Sequence, residues 1–223
     1  MDDIAVSRFG PAALLVEFAD KVDRESLARC CGLMSSFEEN HLDGLVDVTP
    51  AYCSVLLEFD GPDHASDQVD RVTQLLKSAR ARPVEETPLF EIPVCYDGPD
   101  LEEFARLNTL SVPNVIELHI APVYSVFLIG FSPGFPYLGP LDVRLHAPRL
   151  ENPRPRVPAG SVAIGGEHTG IYSIDSPGGW WLLGRTNAEI FSTRKARDGG
   201  SAEAFLLRQG DSVKFLPVEE LSA

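Results

Sequence analysis

The chain contains 223 residues with a mass of 24.3 kDa, and its 44% hydrophobic content is sufficient for a folded core. The net charge of −14 and the pI near 4.7 exclude nucleic acid or an anionic membrane surface as the expected main partner. The sequence has neither a basic leader region nor an apolar run of about 20 residues, so we expect no signal peptide and no membrane span. Its cysteines lack CxxC spacing and are expected to be reduced core thiols of a cytoplasmic protein: Cys30, Cys31, Cys53 and Cys95.

The first ninety residues alternate between strand and helix patterns. Leu14, Val16 and Phe18 repeat at period two and predict a strand. Asp23 precedes apolar residues at helical spacing and predicts a capped helix start. The helix positions are Leu27, Cys30, Cys31, Met34 and Phe37. The later elements are strands at 45–49 and 53–59, a helix from Val69 to Ala79, a polar linker between Pro83 and Pro88, and a strand at 89–96.

This order of strand, helix, strand, strand, helix and strand is typical of a ferredoxin-like α/β domain. The pattern describes an architecture and carries no information about chemistry. We place the end of the N-terminal domain at residue 85, within the polar linker.

Beyond residue 96 the composition changes. Short helices are predicted after Pro99 and at Pro113, followed by an apolar strand at 123–129. Residues 130–185 hold ten of the 18 glycines and eight of the 18 prolines, which nearly excludes helices. Short strands at 161–164, 169–173, 180–183 and 213–215 favour a barrel or a sandwich. The sequence therefore predicts an α+β protein with an N-terminal α/β domain at 1–85 and a mostly β domain at 86–223.

Charge is unevenly distributed along the chain. Residues 131–185 carry a net charge of +1, whereas the remainder carries −15, and every basic residue in this stretch is an arginine. Arginine suits fixed, two-pronged recognition of a carboxylate or phosphate. The same residues could equally cover a surface rich in loops, and the composition does not separate the two interpretations.

Familiar catalytic motifs are absent or physically unsuitable. The segment 130–134 matches GxSxG, but Pro133 has no backbone N–H to donate to an oxyanion, so Ser132 is not expected to be a nucleophile. The sequence has no phosphate-binding loop and no HExxH motif, and its histidines lack ligand spacing. We therefore expect no metal site in this chain, and no ATP site can be identified from its sequence.

Two segments remain as candidates for a binding site. The first, GFSPGFPYLG at 130–139, fixes Phe131, Phe135 and Tyr137 in set directions, which fits a pocket wall or a core plug. The second spans 156–186 and combines glycine turns with polar side chains. The glycine pairs at 165–166 and 178–179 allow close approach of a ligand to the backbone, although hairpin turns would also explain them.

These segments carry a family resemblance. GFSPGFPYLG (130–139), PRVPAGSVAIGGEHTGIY (155–172) and SPGGWWLLGRT (176–186) resemble one family that is known under three descriptions. These are the B-type subunit of 5-oxoprolinase, sporulation-kinase inhibitor and allophanate hydrolase subunit 1. The resemblance covers nearly the whole chain. It implies a small N-terminal α/β domain followed by a cyclophilin-like β-barrel of the carboxyltransferase C and D superfamily.

The resemblance also implies a function and partners. Family members act with a related C-type subunit and a metal-using A-type subunit as an ATP-dependent 5-oxoprolinase, a hydrolase that opens the lactam of 5-oxoproline. ATP is then a co-substrate of the complex, and the chain is expected to be inactive alone. The alternatives are a non-enzymatic histidine-kinase inhibitor and a component of an allophanate or urea-type biotin-dependent carboxyltransferase.

On this basis we expect the site residues to lie in the two candidate segments. Arg156 and Arg185 are predicted to hold the substrate carboxylate or a phosphoryl oxygen, with Ser161, His168 and Tyr172 orienting the lactam. The family usually has glutamine where His168 stands, and residues 187–203 replace a shorter link. The predicted substrate-binding residues are Phe135, Tyr137, Gly165, Gly166, Gly178 and Gly179.

Overall fold

A computed structural model describes residues 5–17, 23–78, 87–199 and 201–221. The chain divides into two compact units, residues 1–86 and 87–223. Predicted positions at Phe18, Ala79 and Pro83 lie outside the described residues.

The first unit is an antiparallel four-stranded sheet with helices. Its strands are β1 (Ala5–Arg8), β2 (Ala13–Glu17), β3 (Leu45–Pro50) and β4 (Ser54–Phe59), in the order β1-β2-β4-β3. The helices are α1 (Arg24–Glu39), α2 (Pro62–Asp67) and α3 (Val69–Ser78). The predicted cap is confirmed, because the Asp23 side chain accepts the backbone N–H of Ser26 at 2.8 Å.

The core of the first unit forms where the inward sides of the strands meet the helices. Leu14 and Val16 are fully buried on β2, as their alternation predicts, and Leu27 and Cys30 are fully buried on α1. Burial of these side chains removes apolar surface from water and holds the helices on the sheet. No disulfide joins the chain's cysteines, all four of which lie among the described residues.

The strand predicted at 89–96 is present, but it does not complete the ferredoxin-like pattern of the first unit. The segment predicted at 89–96 forms β5 (Leu89–Val94), but it pairs in parallel with a late strand of the second unit rather than with the first sheet. The edge beside β2 is occupied instead by β1, which the sequence did not indicate. The first sheet is therefore built entirely from residues 5–59.

The second unit is built on a seven-stranded sheet. Its helices α4 (Leu101–Leu107) and α5 (Val112–Ile120) follow β5, and a short helix α6 (Thr193–Gly199) lies near its end. A separate two-stranded sheet pairs β8 (Arg154–Val157) with β11 (Ser176–Gly178). The other strands are β6 (Tyr124–Ile129), β7 (Pro136–Gly139), β9 (Ser161–Gly165), β10 (His168–Ile171), β12 (Trp181–Arg185) and β13 (Ser212–Pro217), in the order β12-β9-β10-β7-β6-β13-β5.

The two edges of this large sheet meet and nearly close it into a barrel. Cys95, directly after β5, exchanges two backbone hydrogen bonds of 2.9 Å with Arg185 at the end of β12. Gly98 donates a further backbone hydrogen bond of 3.1 Å to Leu183. Closure removes the unpaired edges of an open sheet. The buried apolar residues of this unit form a large cluster and a smaller one around Phe135, Tyr172 and Trp180. The described structure is therefore an α+β protein with a nearly closed, barrel-like sheet in its second unit.

A buried histidine links α5 to the barrel. The ring of His119 is fully buried and hydrogen-bonds Tyr96 Oη through Nδ1 at 2.6 Å and Thr169 Oγ1 through Nε2 at 2.7 Å. Thr169 in turn donates to the carbonyl oxygen of Ala163, so its hydroxyl accepts from Nε2–H while Nδ1 accepts from the tyrosine. This arrangement needs a neutral imidazole, and burial lowers the pKa of His119 to about 3.

No helix among the described residues has both the length and the apolar character that crossing a membrane requires.

Candidate functional site

A cavity of about 150 Å³ opens among the loops and strands at one part of the second unit. The loop after β6 and the first residues of β7 (130–137) form one wall, and residues 149–153 form another. The third wall comes from the end of β10 and from β11 with the residues that follow it. The lining residues are Phe131, Phe135, Tyr137, Arg149, Leu150, Pro153, Tyr172, Gly178, Gly179 and Trp180.

Aromatic rings form most of this lining. The ring of Phe135 stands edge-to-face with those of Tyr137, Tyr172 and Trp180, at centroid separations of 5.1, 5.2 and 5.3 Å. Tyr137 and Trp180 are also edge-to-face, at 5.6 Å. Such pairs are favoured by the ring quadrupoles and fix the orientation of each ring. The cavity therefore has rigid, mainly apolar walls.

Two glycines allow these rings to approach the backbone. A Cβ atom at Gly178 would overlap the phenol of Tyr172, and one at Gly165 would lie 2.5 Å from the indole of Trp180. Glycine at both positions is thus required by ring packing. Of the four glycines predicted to bind substrate, Gly178 and Gly179 line the cavity and Gly165 and Gly166 do not.

The loop between β6 and β7 presents an aromatic side chain at the mouth of the cavity. Phe131 has a φ of +66°, in the left-handed region that non-glycine residues rarely occupy, and its side chain is 62% exposed. Around it, Phe135 N–H donates to the Ser132 carbonyl at 3.0 Å, and the Ser173 hydroxyl donates to the Pro133 carbonyl at 2.6 Å. These hydrogen bonds hold the loop in a tight turn, and Ser132 Oγ lies 3.4 Å from Ser173 Oγ.

Two phenols of the lining remain protonated near neutral pH. Burial raises the pKa of Tyr137 and of Tyr172. Tyr172 forms a hydrogen bond with the backbone of Trp180, which holds its ring in place. A protonated phenol donates a hydrogen bond, so the cavity can present neutral donors to a carbonyl oxygen.

The two arginines predicted to bind the substrate lie elsewhere. Arg156 on β8 is 77% exposed and binds Asp175, with its Nη2 2.5 Å from Oδ2. Arg185 at the end of β12 is 58% exposed and binds Asp97, with its Nε 2.9 Å from Oδ2. Neither side chain lines the cavity. The structure brings each of them to an aspartate rather than to the aromatic walls.

The arginine that does line the cavity is Arg149, which the sequence did not single out. It is exposed, and within residues 87–199 and 201–221 of the second unit it forms neither a hydrogen bond nor an ion pair through its guanidinium. The positive charge of Arg149 lowers the pKa of Tyr137 and of Tyr172, which opposes the increase caused by burial. Arg149 is therefore a cation placed at an otherwise uncharged cavity.

A mostly buried ion pair between Asp100 and Arg154 contacts the backbone of Trp180. Asp100, before α4, is 6% exposed, and its Oδ1 lies 2.5 Å from Nη2 of Arg154. Its Oδ2 accepts the backbone N–H of Leu182 at 2.8 Å. Arg154 also donates to the carbonyl oxygen of Trp180 at 3.5 Å. These contacts join α4, β8 and β12 behind the cavity.

Comparison with known proteins identifies the family. Residues 4–199 match the carboxyltransferase domain, subdomain C and D. The chain belongs to this carboxyltransferase family. A relative from Bacillus subtilis, named as the B-type subunit of 5-oxoprolinase, is 34% identical over 229 residues, covering 96% of this chain and 93% of the relative. One of the same name from Escherichia coli O157:H7 is 39% identical over 215 residues, covering 95% and 94%.

A solved structure agrees with these sequence relatives. The crystal structure of TTHA0988 is 39% identical, with a TM-score of 0.80 over 94% of this chain. The chain spans 40% of the length of that protein. The predicted resemblance to the carboxyltransferase superfamily is thus confirmed by sequence and by fold.

Ser161 and His168, the other two residues predicted for the site, do not line the cavity. Ser161 is buried and its hydroxyl donates to the Pro158 carbonyl at 2.8 Å. His168 packs against the edges of Tyr137 and Phe127, at 6.1 and 6.4 Å, and burial lowers its pKa. Across the described residues no group of three His, Cys, Asp or Glu side chains could hold a metal ion. The described lining of the cavity therefore offers hydrogen-bond donors and one cation, and it includes no activated nucleophile.

Proposed function

We propose that this chain is the B-type subunit of a heteromeric ATP-dependent 5-oxoprolinase. The observation that carries the proposal is the extent of the match to two relatives named as B-type subunits of 5-oxoprolinase, which spans more than nine tenths of this chain and of each relative. The reaction consumes 5-oxo-L-proline, ATP and water and yields L-glutamate, ADP and phosphate. The chain acts in the cytoplasm, as one part of a hydrolase.

The proposed partners are a related C-type subunit and a metal-using A-type subunit. The word subunit in the names of the relatives supports a complex of several chains. The sequence has no phosphate-binding loop, so we place the nucleotide on a partner chain.

The residues of the cavity suit the part of the reaction that takes place on the lactam. Opening a lactam builds negative charge on its carbonyl oxygen, and donors fixed near that oxygen lower the barrier. Tyr137 and Tyr172 are protonated phenols at the aromatic walls, and Phe135, Gly178 and Gly179 complete the predicted surface. We propose that these five residues bind and orient the lactam, while activation of its carbonyl and the attacking water depend on the partner chains.

We also propose a specific fold type for each of the two units. We infer that residues 86–223 form a cyclophilin-like barrel that carries the site, supported by the nearly closed seven-stranded sheet. We infer that residues 1–85 form a ferredoxin-like domain, supported by the order β1-β2-β4-β3 with helices after β2 and β4. In that arrangement β1 lies at the sheet edge beside β2, and residues 89–96 are not part of this sheet.

The proposed function is tested by reconstitution. The chain is co-purified with the C-type and A-type subunits from the same genome, and phosphate release is measured with and without 5-oxo-L-proline. We expect release that is stimulated by 5-oxo-L-proline and that is lost when any one chain is omitted. An intact complex that releases phosphate at the same rate with and without 5-oxo-L-proline would contradict the proposal. Failure of the subunits to associate, with capture of a histidine kinase instead, would favour the inhibitor alternative.

A further inference from the structure

The arginines of the glycine-rich region divide into two classes when their partners are compared. Within the described part of the stretch 131–185, four of the five arginines form ion pairs with aspartates at 2.5 to 2.9 Å. Arg149 has no such partner, and it is also the charged residue that lines the aromatic cavity. The pairs are Arg144–Asp142, Arg154–Asp100, Arg156–Asp175 and Arg185–Asp97.

The backbone on both sides of Arg149 is fixed. Ala147 and Gly166 exchange two backbone hydrogen bonds, of 3.2 and 2.8 Å, and the indole N–H of Trp181 donates to the Pro148 carbonyl at 2.8 Å. On the other side, Leu150 N–H donates to the carbonyl of Gly179 at 2.7 Å. The guanidinium thus extends from an anchored segment with its own donors uncommitted. An anion that binds it therefore meets a fixed backbone position, and only the side chain of Arg149 has to be ordered.

The cavity next to it has the size of one small ring. An enclosed apolar cavity of about 150 Å³ is known to hold a single benzene molecule, and this cavity has a similar volume but is open to solvent on one side. A ligand confined there has its ring against Phe135, Tyr172 and Trp180. Arginine recognises a carboxylate through two parallel N–H···O bonds. A ring with a carboxylate substituent satisfies both parts of the site at once.

We infer that this cavity binds a small cyclic carboxylate, with Arg149 as the residue that recognises the carboxylate and the aromatic walls enclosing the ring. The inference rests on the proposed function in one respect, since 5-oxo-L-proline is a compound of this class. It assigns the carboxylate to Arg149 rather than to Arg156 or Arg185. An acidic chain of net charge −14 repels free anions, so an uncommitted cation at the mouth supplies the local attraction.

The first test measures binding to the full chain by calorimetry, with 5-oxo-L-proline and with 2-pyrrolidinone, which has the same ring without the carboxylate. We expect 5-oxo-L-proline to bind at least tenfold more tightly, since a charge-assisted hydrogen bond contributes about that factor or more. Arg149→Ala should remove this preference and leave the affinity for 2-pyrrolidinone unchanged. Arg149→Lys should restore part of it. Arg106→Ala, which removes an exposed arginine on α4, is the matched control and should behave as the wild type.

The second test uses the assembled complex, where Arg149→Ala should raise the KM for 5-oxo-L-proline at least tenfold and Arg106→Ala should not. The inference is overturned if the chain shows no preference for the carboxylate and the KM is unchanged, or if Arg149→Ala weakens both ring compounds equally. A different result would contradict the proposed function without contradicting the inference about Arg149. If the complex has no 5-oxo-L-proline-dependent turnover but the chain binds cyclopentanecarboxylate in an Arg149-dependent way, the inference stands and the oxoprolinase assignment falls.

Discussion

The buried Asp100 offers a direct test of how the second unit is held together. Replacement by alanine removes two interactions: the ion pair with Arg154 at 2.5 Å and the acceptor for Leu182 N–H at 2.8 Å. The second leaves a buried backbone donor without a partner, which costs about 1–3 kcal/mol. Breaking a fully buried ion pair costs about 3–5 kcal/mol, and here the loss is smaller because the Arg154 side chain is 30% exposed and reaches water.

Together these terms predict that Asp100→Ala lowers the free energy of unfolding by about 3 kcal/mol. For a chain of this size the melting temperature should fall by roughly 6 to 12 °C. Asp100→Asn keeps an oxygen that accepts from Leu182 and removes the charge alone, so about half of that loss is expected. Differential scanning calorimetry of the three proteins measures the series.

Asp97→Ala is the matched control, because it removes an aspartate from an ion pair whose side chains are 44% and 58% exposed. Exposed pairs contribute about 0–1 kcal/mol, so this variant should melt close to the wild type. The reasoning is refuted if Asp100→Ala lowers the melting temperature no more than Asp97→Ala does. It is also refuted if the alanine and asparagine variants at Asp100 are equally destabilised, since the buried N–H would then contribute nothing.

Two further predictions concern protonation and domain structure. His119, with its pKa near 3 in the folded state, should show no titration of its ring nitrogens between pH 5 and 8 by NMR. Because the unfolded ring takes up a proton near pH 6.5, stability should be complete above that pH and decrease as the pH falls towards 3; a folded imidazole that titrates near 6.5 would contradict this. Residues 87–223 expressed alone should retain the near-UV circular dichroism of packed aromatic rings, and a fragment without that signal would contradict an independently folding second domain.

Local sequence patterns located most strands and helices but not their partners. Alternation on β2 and the Asp23 cap are properties of a few neighbouring residues, and both are present in the structure. The partner of β5 is decided by residues more than a hundred positions later, and its burial pattern resembles that of any half-buried strand. The strand β1 has four mostly exposed residues and no apolar alternation, so no sequence pattern points to it.

The candidate site was predicted in the same partial way. Phe135 and Tyr137 stand out in the sequence because glycine and proline around them fix the backbone, and Tyr172 stands out as a polar side chain among glycine turns; all three line the cavity. The five arginines of this region look alike in the sequence. Their partners include Asp97 and Asp100, which come from before α4, so only the folded chain reveals that Arg149 is the one without an aspartate among the described residues.

The position of β13 has a consequence for how the second unit comes to be folded. This strand lies between β6 and β5, and its first residue pairs with Leu89, 123 positions earlier in the chain. Until residues 212–217 have been synthesised, β5 and β6 lack the strand that lies between them, and the backbone groups that pair with β13 have no partner in this sheet. Contacts that join such distant segments are slow to form and leave a nascent chain exposed to aggregation. The seven-stranded sheet therefore cannot form before β13 has been synthesised, and β13 then pairs with two strands that were made long before it.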